Sequence, residues 1–212
     1  MHDACTPYTT GFITPMAAVA GAVADAVLAT MCAAAPLDRA LVNNRGDIAV
    51  HLTPGLSLHC GLVADVTAPA LDGMLTLHAT QPSRGIATSG RACQGRGGRS
   101  FSFGIADSAT ILARTAADAD AAASVVANAV DLPGHPAVTR VPACSIDPDS
   151  DLGNRHVTWD VGLLPPASVS AALDNGARVA QALIRCGRIH GAVLTLRGQV
   201  RVCVPQAFQD AA

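Results

Sequence analysis

Residues 85–130 read GIATSGRACQGRGGRSFSFGIADSATILARTAADADAAASVVANAV, and this stretch decides the fold prediction. A loop rich in Gly, Arg and Ser leads into a strand-like segment and then into an alanine-rich helix. On that helix Asp120 and Ser124 lie four residues apart on one face. Hard oxygen ligands beside backbone N–H groups and guanidinium groups suit a complex of Mg²⁺ with a diphosphate. The stretch therefore predicts a strand–helix unit that presents a metal–phosphate site.

The composition is that of a globular protein and excludes several classes of function. Of the 212 residues, 50% are hydrophobic and 14% are charged, which is enough apolar material for a substantial core. The net charge of −2 and the scarcity of Trp and Tyr, one of each, predict no nucleic-acid partner. All 14 basic residues are Arg, which excludes a Schiff-base lysine and a P-loop lysine.

The cysteines and histidines give no sign of a disulfide framework or a zinc site. The seven cysteines are scattered without a Cys-x-x-Cys pair, and the seven histidines show no ligand spacing. We therefore expect free thiols in a reducing compartment and a cytoplasmic protein. Cys93, inside the Gly/Arg loop, is the one thiol whose surroundings suggest reactivity, with an inert thiol as the alternative. The acidic run over residues 147–153 lacks the Gly and Glu of an EF-hand loop and is interpreted as a surface turn.

Residues 16–35 form an apolar run that is long enough to cross a membrane. However, most of its apolarity comes from alanine, Asp25 lies near its middle, and no Arg or Lys precedes it. The pattern therefore favours a buried packing helix that begins near Pro15 and stops before Pro36. We expect no membrane partner.

The remaining chain alternates strand-like and helix-like segments. Strands are predicted over residues 40–43, 47–52, 56–63, 74–79, 101–105, 109–113, 156–161, 189–196 and 199–204. Helices are predicted over residues 116–130 and 166–185. This order predicts an α+β fold, a mostly antiparallel sheet with packed helices, in one domain spanning residues 1–212. Two passages that combine a helix with a hairpin suggest an internal duplication. Small-residue helices and apolar strands would also suit a homodimer.

Three groups of residues could carry chemistry. Thr88, Ser89, Gly90 and Arg91 could converge on a phosphate, with an exposed mobile loop as the alternative. Asp120 and Ser124 could hold Mg²⁺, whereas the alternative is a solvated polar stripe on the helix. The turn over residues 43–47, NNRGD, could position a ligand or simply form an Asx-type turn.

Four segments in order resemble the ApbE-like flavin transferase superfamily. They are TPMAAVAGAVADAV from Thr14, VNNRGDIAV from Val42, GIATSGR from Gly85 with RSFSFGIADSATILA from Arg99, and ADAAASVVANAV from Ala119. The resemblance covers most of the chain and is closest to a short branch of the superfamily. It implies a T-fold-like architecture that binds FAD, or another diphosphate-containing cofactor, with Mg²⁺.

The resemblance also implies roles for individual residues. Asp120 and Ser124 match the helix motif that holds the magnesium ion. The cofactor-binding candidates are Asn44, Gly46, Asp47, Thr88, Ser89, Gly90, Arg91, Arg99, Ser100 and Asp107. Among these, Arg91 and Arg99 would neutralise charge on the phosphoryl oxygens.

Two activities follow from the resemblance, and one alternative stays open. The transferases move FMN from FAD to a hydroxyl of an acceptor protein and release AMP, and related members hydrolyse FAD to FMN and AMP. This chain has Gly104 where the transferases have a histidine, and it is shorter at its N-terminal part, so no general base can be named. The alternative is a non-catalytic protein of the same fold that binds or assembles a flavin or pterin cofactor.

Overall fold

A computed structural model describes residues 1–8, 11–62, 73–90 and 101–205. Its centre is a six-stranded sheet in which every neighbouring pair is antiparallel, in the order β1-β2-β5-β6-β9-β10. The strands are β1 Arg39–Asn44, β2 Asp47–Leu52, β3 Ser57–Leu62, β4 Gly73–His78, β5 Gly85–Ser89, β6 Ser108–Ala113, β7 Val138–Pro142, β8 His156–Val161, β9 Gly191–Leu196 and β10 Gln199–Cys203. β3 pairs with β4, and β7 pairs with β8, in two separate hairpins.

Four α-helices accompany the sheet within the described residues. They are α1 His2–Cys5, α2 Val19–Ala34, α3 Ala116–Ala129 and α4 Pro166–Arg185. A turn of 3-10 helix, Pro15–Ala18, leads directly into α2, and a second, Ala143–Ser145, follows β7. α2 packs on β1 and β2, α3 on β5 and β6, and α4 on β9 and β10. The three long helices therefore form one layer on one face of the sheet, which confirms the α+β prediction.

Alternation along the strands explains why the helices lie on that face. In β6, Ala109, Ile111 and Ala113 are fully buried against the helix layer, where they join alanines of α3 and leucines of β9 in the main core. The intervening residues of β5 and β6 point to the opposite face. There, Ile86 and Val50 are covered by Leu58 and Leu77 of the β3–β4 hairpin. The sheet thus buries both faces at its centre.

Most predicted elements are confirmed, and one strand is wrong. β2 and α4 have the bounds that the sequence predicted, and α3 ends one residue earlier. Residues 101–105 form no strand, because the segment lies against the C-terminal turn of α3, where the Ile105 N–H donates to the Val130 carbonyl at 2.8 Å. β7 and the short α1 were not predicted.

The helix predicted over residues 15–35 exists, but most of it is not buried. Only Gly21, Ala24 and Leu28 of α2 face the core, while Val23 and Val27 are 48% and 44% exposed. The continuous run Pro15–Ala34 is the one described helix with the length and apolarity of a membrane span, a property that core helices and signal sequences share. The expectation of a buried packing helix is therefore corrected to a helix that packs by one narrow stripe.

Candidate functional site

Two carboxylates, Asp47 and Asp120, interact in the half-buried region between the helix layer and the sheet. Asp47 is the first residue of β2, and Asp120 lies in the second turn of α3. Burial, with a smaller contribution from the negative charge of Asp120, raises the pKa of Asp47 to about 8. A backbone hydrogen bond from Thr88, at the end of β5, opposes that rise. We call Asp47 and Asp120 the carboxylate pair.

One oxygen of the carboxylate pair has no hydrogen-bond partner among the described residues. Oδ1 of Asp47 is buried and receives no hydrogen bond within the described part of the chain. A buried acceptor without a donor costs free energy, and such atoms in native proteins usually mark a proton, an ion or a ligand. Because its pKa is raised to about 8, Asp47 holds a proton more readily than an exposed aspartate does at neutral pH.

Asp120 is held by the first turn of α2. Its Oδ2 accepts a hydrogen bond from the Gly21 N–H at 3.0 Å, and the Ala20 N–H donates to the same carboxylate. These donors oppose the effect of burial, which raises the pKa of Asp120 to about 6. Because unpaired N–H groups at a helix N-terminus favour negative charge, the first turn of α2 stabilises the ionised form of Asp120.

α2 and α3 cap each other at this point. Asp25 of α2 accepts from the N–H groups of Ala116 at 3.0 Å and Ala117 at 2.9 Å, in the first turn of α3. Gly21 permits the close crossing, since a Cβ there would lie 2.3 Å from the Ala116 carbonyl oxygen. The carboxylate pair therefore sits beside a rigid junction in which each helix supplies the cap of the other.

The β1–β2 turn contributes one side of the site. The Nδ2 of Asn44 donates to the Ala20 carbonyl at 3.1 Å, which ties the turn to α2. Gly46 (φ +106°) lies in the turn itself, and its N–H donates to Oδ1 of Asn43 at 2.8 Å. The Asx-type turn that the sequence left as an alternative is therefore present, and it holds Asp47 in place.

α3 carries the second predicted metal ligand. Ser124 is half-buried one turn beyond Asp120, and its hydroxyl makes no hydrogen bond within the described residues. Asn128, one turn further on, is occupied, because its Oδ1 accepts from the Ser102 hydroxyl at 3.1 Å and the Phe103 N–H at 2.9 Å. Ser124 is therefore available as a ligand, whereas Asn128 has a structural role.

The predicted phosphate loop is described only in part. Thr88 and Ser89 end β5, and the Thr88 hydroxyl bonds the Thr110 hydroxyl at 2.9 Å. Gly90 has φ +136° and approaches the Asp107 carbonyl so closely that a Cβ would lie 2.8 Å from it. The candidates that lie outside the described residues are Arg91, Arg99 and Ser100, together with Cys93.

Asp107, another predicted cofactor-binding residue, has a partner within the protein. Its Oδ2 accepts from the Arg197 N–H in the β9–β10 turn at 2.5 Å, and its own N–H donates to the Thr195 carbonyl at 2.9 Å. The side chain of Asp107 thus fixes a turn between neighbouring strands.

Position 104, where the resemblance led us to look for a histidine, is a glycine whose backbone packs closely on α3. A Cβ at this position would lie 2.1 Å from the Ala127 carbonyl oxygen, because the backbone packs directly on α3. A side chain of any size is excluded here unless the segment over residues 101–105 moves away. The packing of this segment on α3 therefore requires glycine at position 104.

Within the described ranges, no group of three or more His, Cys, Asp or Glu side chains could hold a metal ion. The carboxylate pair and Ser124 offer hard oxygens that fit Mg²⁺, which usually takes one or two carboxylates and completes its shell with water and substrate oxygens. Sequence reasoning missed the backbone donors of α2. The signal that could have found them was Asp25, a lone acid in an otherwise uncharged helix.

Comparison with known proteins places the chain in a family. A family model described as AbpE bacteria matches residues 1–202. The chain belongs to the AbpE bacteria family. Curated relatives of this AbpE family chain are each named UPF0280 protein. The protein from Methanothrix thermoacetophila is 40% identical over 116 residues, which are 55% of this chain and 46% of the relative.

Two further relatives of the AbpE family chain give similar values. The protein from Methanoregula boonei is 36% identical over 164 residues, covering 76% of this chain and 64% of its own length. The protein from Methanopyrus kandleri is 35% identical over 128 residues, covering 60% and 46%. The AbpE family chain thus spans less than two thirds of the length of each curated relative.

Proposed function

We propose that this chain binds a diphosphate-containing nucleotide, with FAD as the first candidate, together with Mg²⁺ at the carboxylate pair. The observation that carries the proposal is the buried Oδ1 of Asp47, which lies near Asp120 and has no hydrogen-bond partner in the part of the chain that the structure describes. Two interacting carboxylates with raised pKa values are a costly arrangement, and such arrangements concentrate at functional sites. A divalent cation replaces the proton and neutralises both charges.

The donor set determines which residues would hold the cation. Asp47, Asp120 and Ser124 supply hard oxygens from β2 and α3, and the remaining positions would be left to water and phosphate oxygens. When bound, Mg²⁺ would neutralise charge on the phosphoryl oxygens. The protein's own contribution is rigidity, because the capped junction of α2 and α3 holds Asp120 in one orientation.

The ApbE-like and internally duplicated architecture is part of the same proposal. Two arrangements at opposite ends of the sheet support it: α2 precedes and packs on the β1–β2 hairpin, and α4 precedes and packs on the β9–β10 hairpin. With FAD as substrate, the reaction would break the diphosphate. FMN would go to water or to a hydroxyl of an acceptor protein in the cytoplasm, and AMP would leave.

A non-catalytic role as a flavin- or pterin-cofactor binder is the second candidate. Gly104 favours it, because the packing of its backbone on Ala127 leaves no room for a histidine. Among the described residues, the groups that act on Asp47 and Asp120 are backbone donors and a carboxylate, with no histidine among them. Binding and chemistry must therefore be measured separately.

The test combines thermal shifts with product analysis. Wild-type protein is melted with FAD, FMN or ADP, with and without MgCl₂, and AMP release from FAD is followed by chromatography. We expect a Mg²⁺-dependent rise in Tm with FAD or ADP that Asp120→Asn abolishes. Release of AMP would support the enzymatic function. A rise in Tm without release of AMP would support the non-catalytic binding function.

Asp118→Asn is the matched control. It removes another carboxylate from α3, but Asp118 lies against the exposed Arg114 and is not among the charges that act on Asp47 or Asp120. This variant should therefore keep the nucleotide-dependent shift. Absence of any shift in the wild-type protein, or equal losses in both variants, would refute the proposed site.

A further inference from the structure

Among the described residues, the outer edge of the last strand of the sheet has no neighbouring strand, and a groove runs beside it. Within the described part of the chain β10 has one neighbour, β9. The groove has a volume of about 510 Å³ and is lined on α4 by Asp174, Ala177, Arg178, Gln181 and Arg185. Arg201 of β10 reaches across to Asp174 at 3.1 Å and to the Ser170 hydroxyl at 2.7 Å. The groove therefore borders the free edge of β10.

Within residues 101–205 and the other described ranges, this edge lacks the usual protection against pairing. Natural edge strands are blunted by charges, proline or bulges. β10 pairs with β9 without a bulge, and its one charged residue, Arg201, is drawn onto α4 by Asp174. On the face away from α4, Val200 and Val202 are 50% and 61% exposed. An apolar, regular edge of this kind is a template for another strand.

We propose that β10 pairs antiparallel with β10 of a second copy of this chain, forming a two-fold symmetric dimer whose sheet is continuous across the interface. The pairing brings the exposed valines of the two edges together on one face. On the other face it brings the two α4 helices side by side. This surface does not overlap the carboxylate pair, so the inference does not depend on the proposed function.

The charges on α4 select a second copy over an unrelated partner. In the proposed dimer the two α4 helices run antiparallel, and the two-fold axis passes through the middle of the groove. This arrangement places Asp174 against the partner's Arg185. The same operation places Arg178 against the partner's Gln181, so no like charges meet at these positions. An isologous dimer requires a surface that is complementary to the same surface of the partner after a two-fold rotation.

The dimensions also fit. Paired strands lie about 4.8 Å apart, and α4 packs on both β9 and β10. Two helices placed in this way are about 10 Å apart, the upper end of ordinary helix–helix packing. With α4 about 30 Å long, the two layers bury on the order of 1,000 Å² in total, which is the lower end for a specific interface. The dimer should therefore depend on concentration.

Sedimentation velocity and light scattering from about 1 µM to about 1 mM test the inference. We expect the mass of the wild-type chain to rise from 21.4 kDa towards twice that value. Val202→Lys adds a charge to the apolar strip, and Arg185→Glu faces the partner's Asp174 with a like charge. Both variants should remain monomeric throughout, with unchanged circular dichroism and Tm.

The opposite edge of the sheet supplies matched controls. The strand β1, at the other end of the sheet, carries Leu41, which is 47% exposed, and Arg39. These two residues allow an apolar-to-Lys and an Arg-to-Glu change like those made on the β10 side. Leu41→Lys and Arg39→Glu should dimerise like the wild type. A wild-type chain that stays monomeric at the highest concentration would overturn the inference. So would dimers that survive both β10-side variants, or that are lost with the β1 variants.

Discussion

Two sites in this protein hold partly buried acidic side chains, and the sites differ in whether the acid is paired with a cation. Asp131 follows α3 and pairs with Arg140 of β7 at 2.5 Å, with only 18% and 22% of their side chains exposed. Arg140 also donates to the Phe103 carbonyl and, at 3.3 Å, to the Thr158 hydroxyl. The carboxylate pair, by contrast, keeps two acids together, and Oδ1 of Asp47 receives no hydrogen bond from any described residue. The first arrangement neutralises its acid with a cation of the protein, whereas the second contains no such cation among the described residues.

The largest expected loss of stability comes from breaking the ion pair between Arg140 and Asp131. Arg140→Met would leave Asp131 half-buried without a cation, and breaking a buried pair in this way typically costs about 3 kcal/mol of unfolding free energy. Urea unfolding measures the loss, and the double variant Arg140→Met with Asp131→Asn should recover most of it. A loss below about 1 kcal/mol would show that the pair is no more than a surface ion pair.

The second expected effect is a dependence of stability on pH that comes from the carboxylate pair. The pKa values of Asp47, about 8, and Asp120, about 6, lie above the ordinary value near 4, so the folded state binds protons that the unfolded state has lost. Stability should therefore be greatest below about pH 4 with respect to these groups, and should fall as the pH rises towards about 8.

Scanning calorimetry at pH 5.5 and pH 8.5 checks this sign. We expect Tm to be lower at the higher pH by several degrees, since about 1 kcal/mol corresponds to about 2–4 °C in a chain of this size. Asp47→Asn should flatten the dependence and raise Tm at pH 8.5. If the slope were unchanged in this variant, the unpartnered oxygen would not be the source of the cost.

A smaller loss is expected at the junction of α2 and α3. Asp25→Ala removes the acceptor of two N–H groups in the first turn of α3, and the loss of a helix cap costs about 1–2 kcal/mol. Denaturant unfolding gives the value. Asp25→Asn, which keeps one acceptor oxygen, should lose less than Asp25→Ala, and the reverse order would contradict the capping role.

The smallest effect is expected where an acid is paired at the surface. Asp118 lies 3.6 Å from Arg114, whose side chain is 80% exposed. Asp118→Asn should cost about 0.5 kcal/mol, and added salt should reduce the difference further. A loss as large as that of Arg140→Met would mean that exposure does not separate structural from marginal ion pairs in this fold.

The regular elements could be predicted from the sequence because their signals are local. α4 begins at Pro166 and β2 begins after a two-residue turn, and both have the predicted bounds. The predicted strand over residues 101–105 failed for a tertiary reason. The backbone of this segment packs on α3 at Gly104 instead of pairing with another strand.

The candidate site residues could be chosen from the sequence, whereas their arrangement in space could not. Asp120 and Ser124 were suggested by spacing and resemblance, and Asp47 by the turn that precedes β2. That Asp47 is buried beside Asp120, and that Gly21 donates to Asp120, depends on residues brought together from distant parts of the chain. No local pattern encodes such a contact.

The reciprocal caps have a consequence for the order of assembly on the ribosome. The hydrogen bonds between α2 and α3 join residues that are 91, 92 and 99 positions apart. At ordinary translation rates α3 emerges about 5–20 s after α2. Throughout that interval the first turn of α2 lacks the Asp120 carboxylate, and the β1–β2 hairpin is the part of the central sheet that has already been synthesised for α2 to pack on. A ribosome stalled before residue 116 should therefore hold a chain whose α2 is still open to proteolysis.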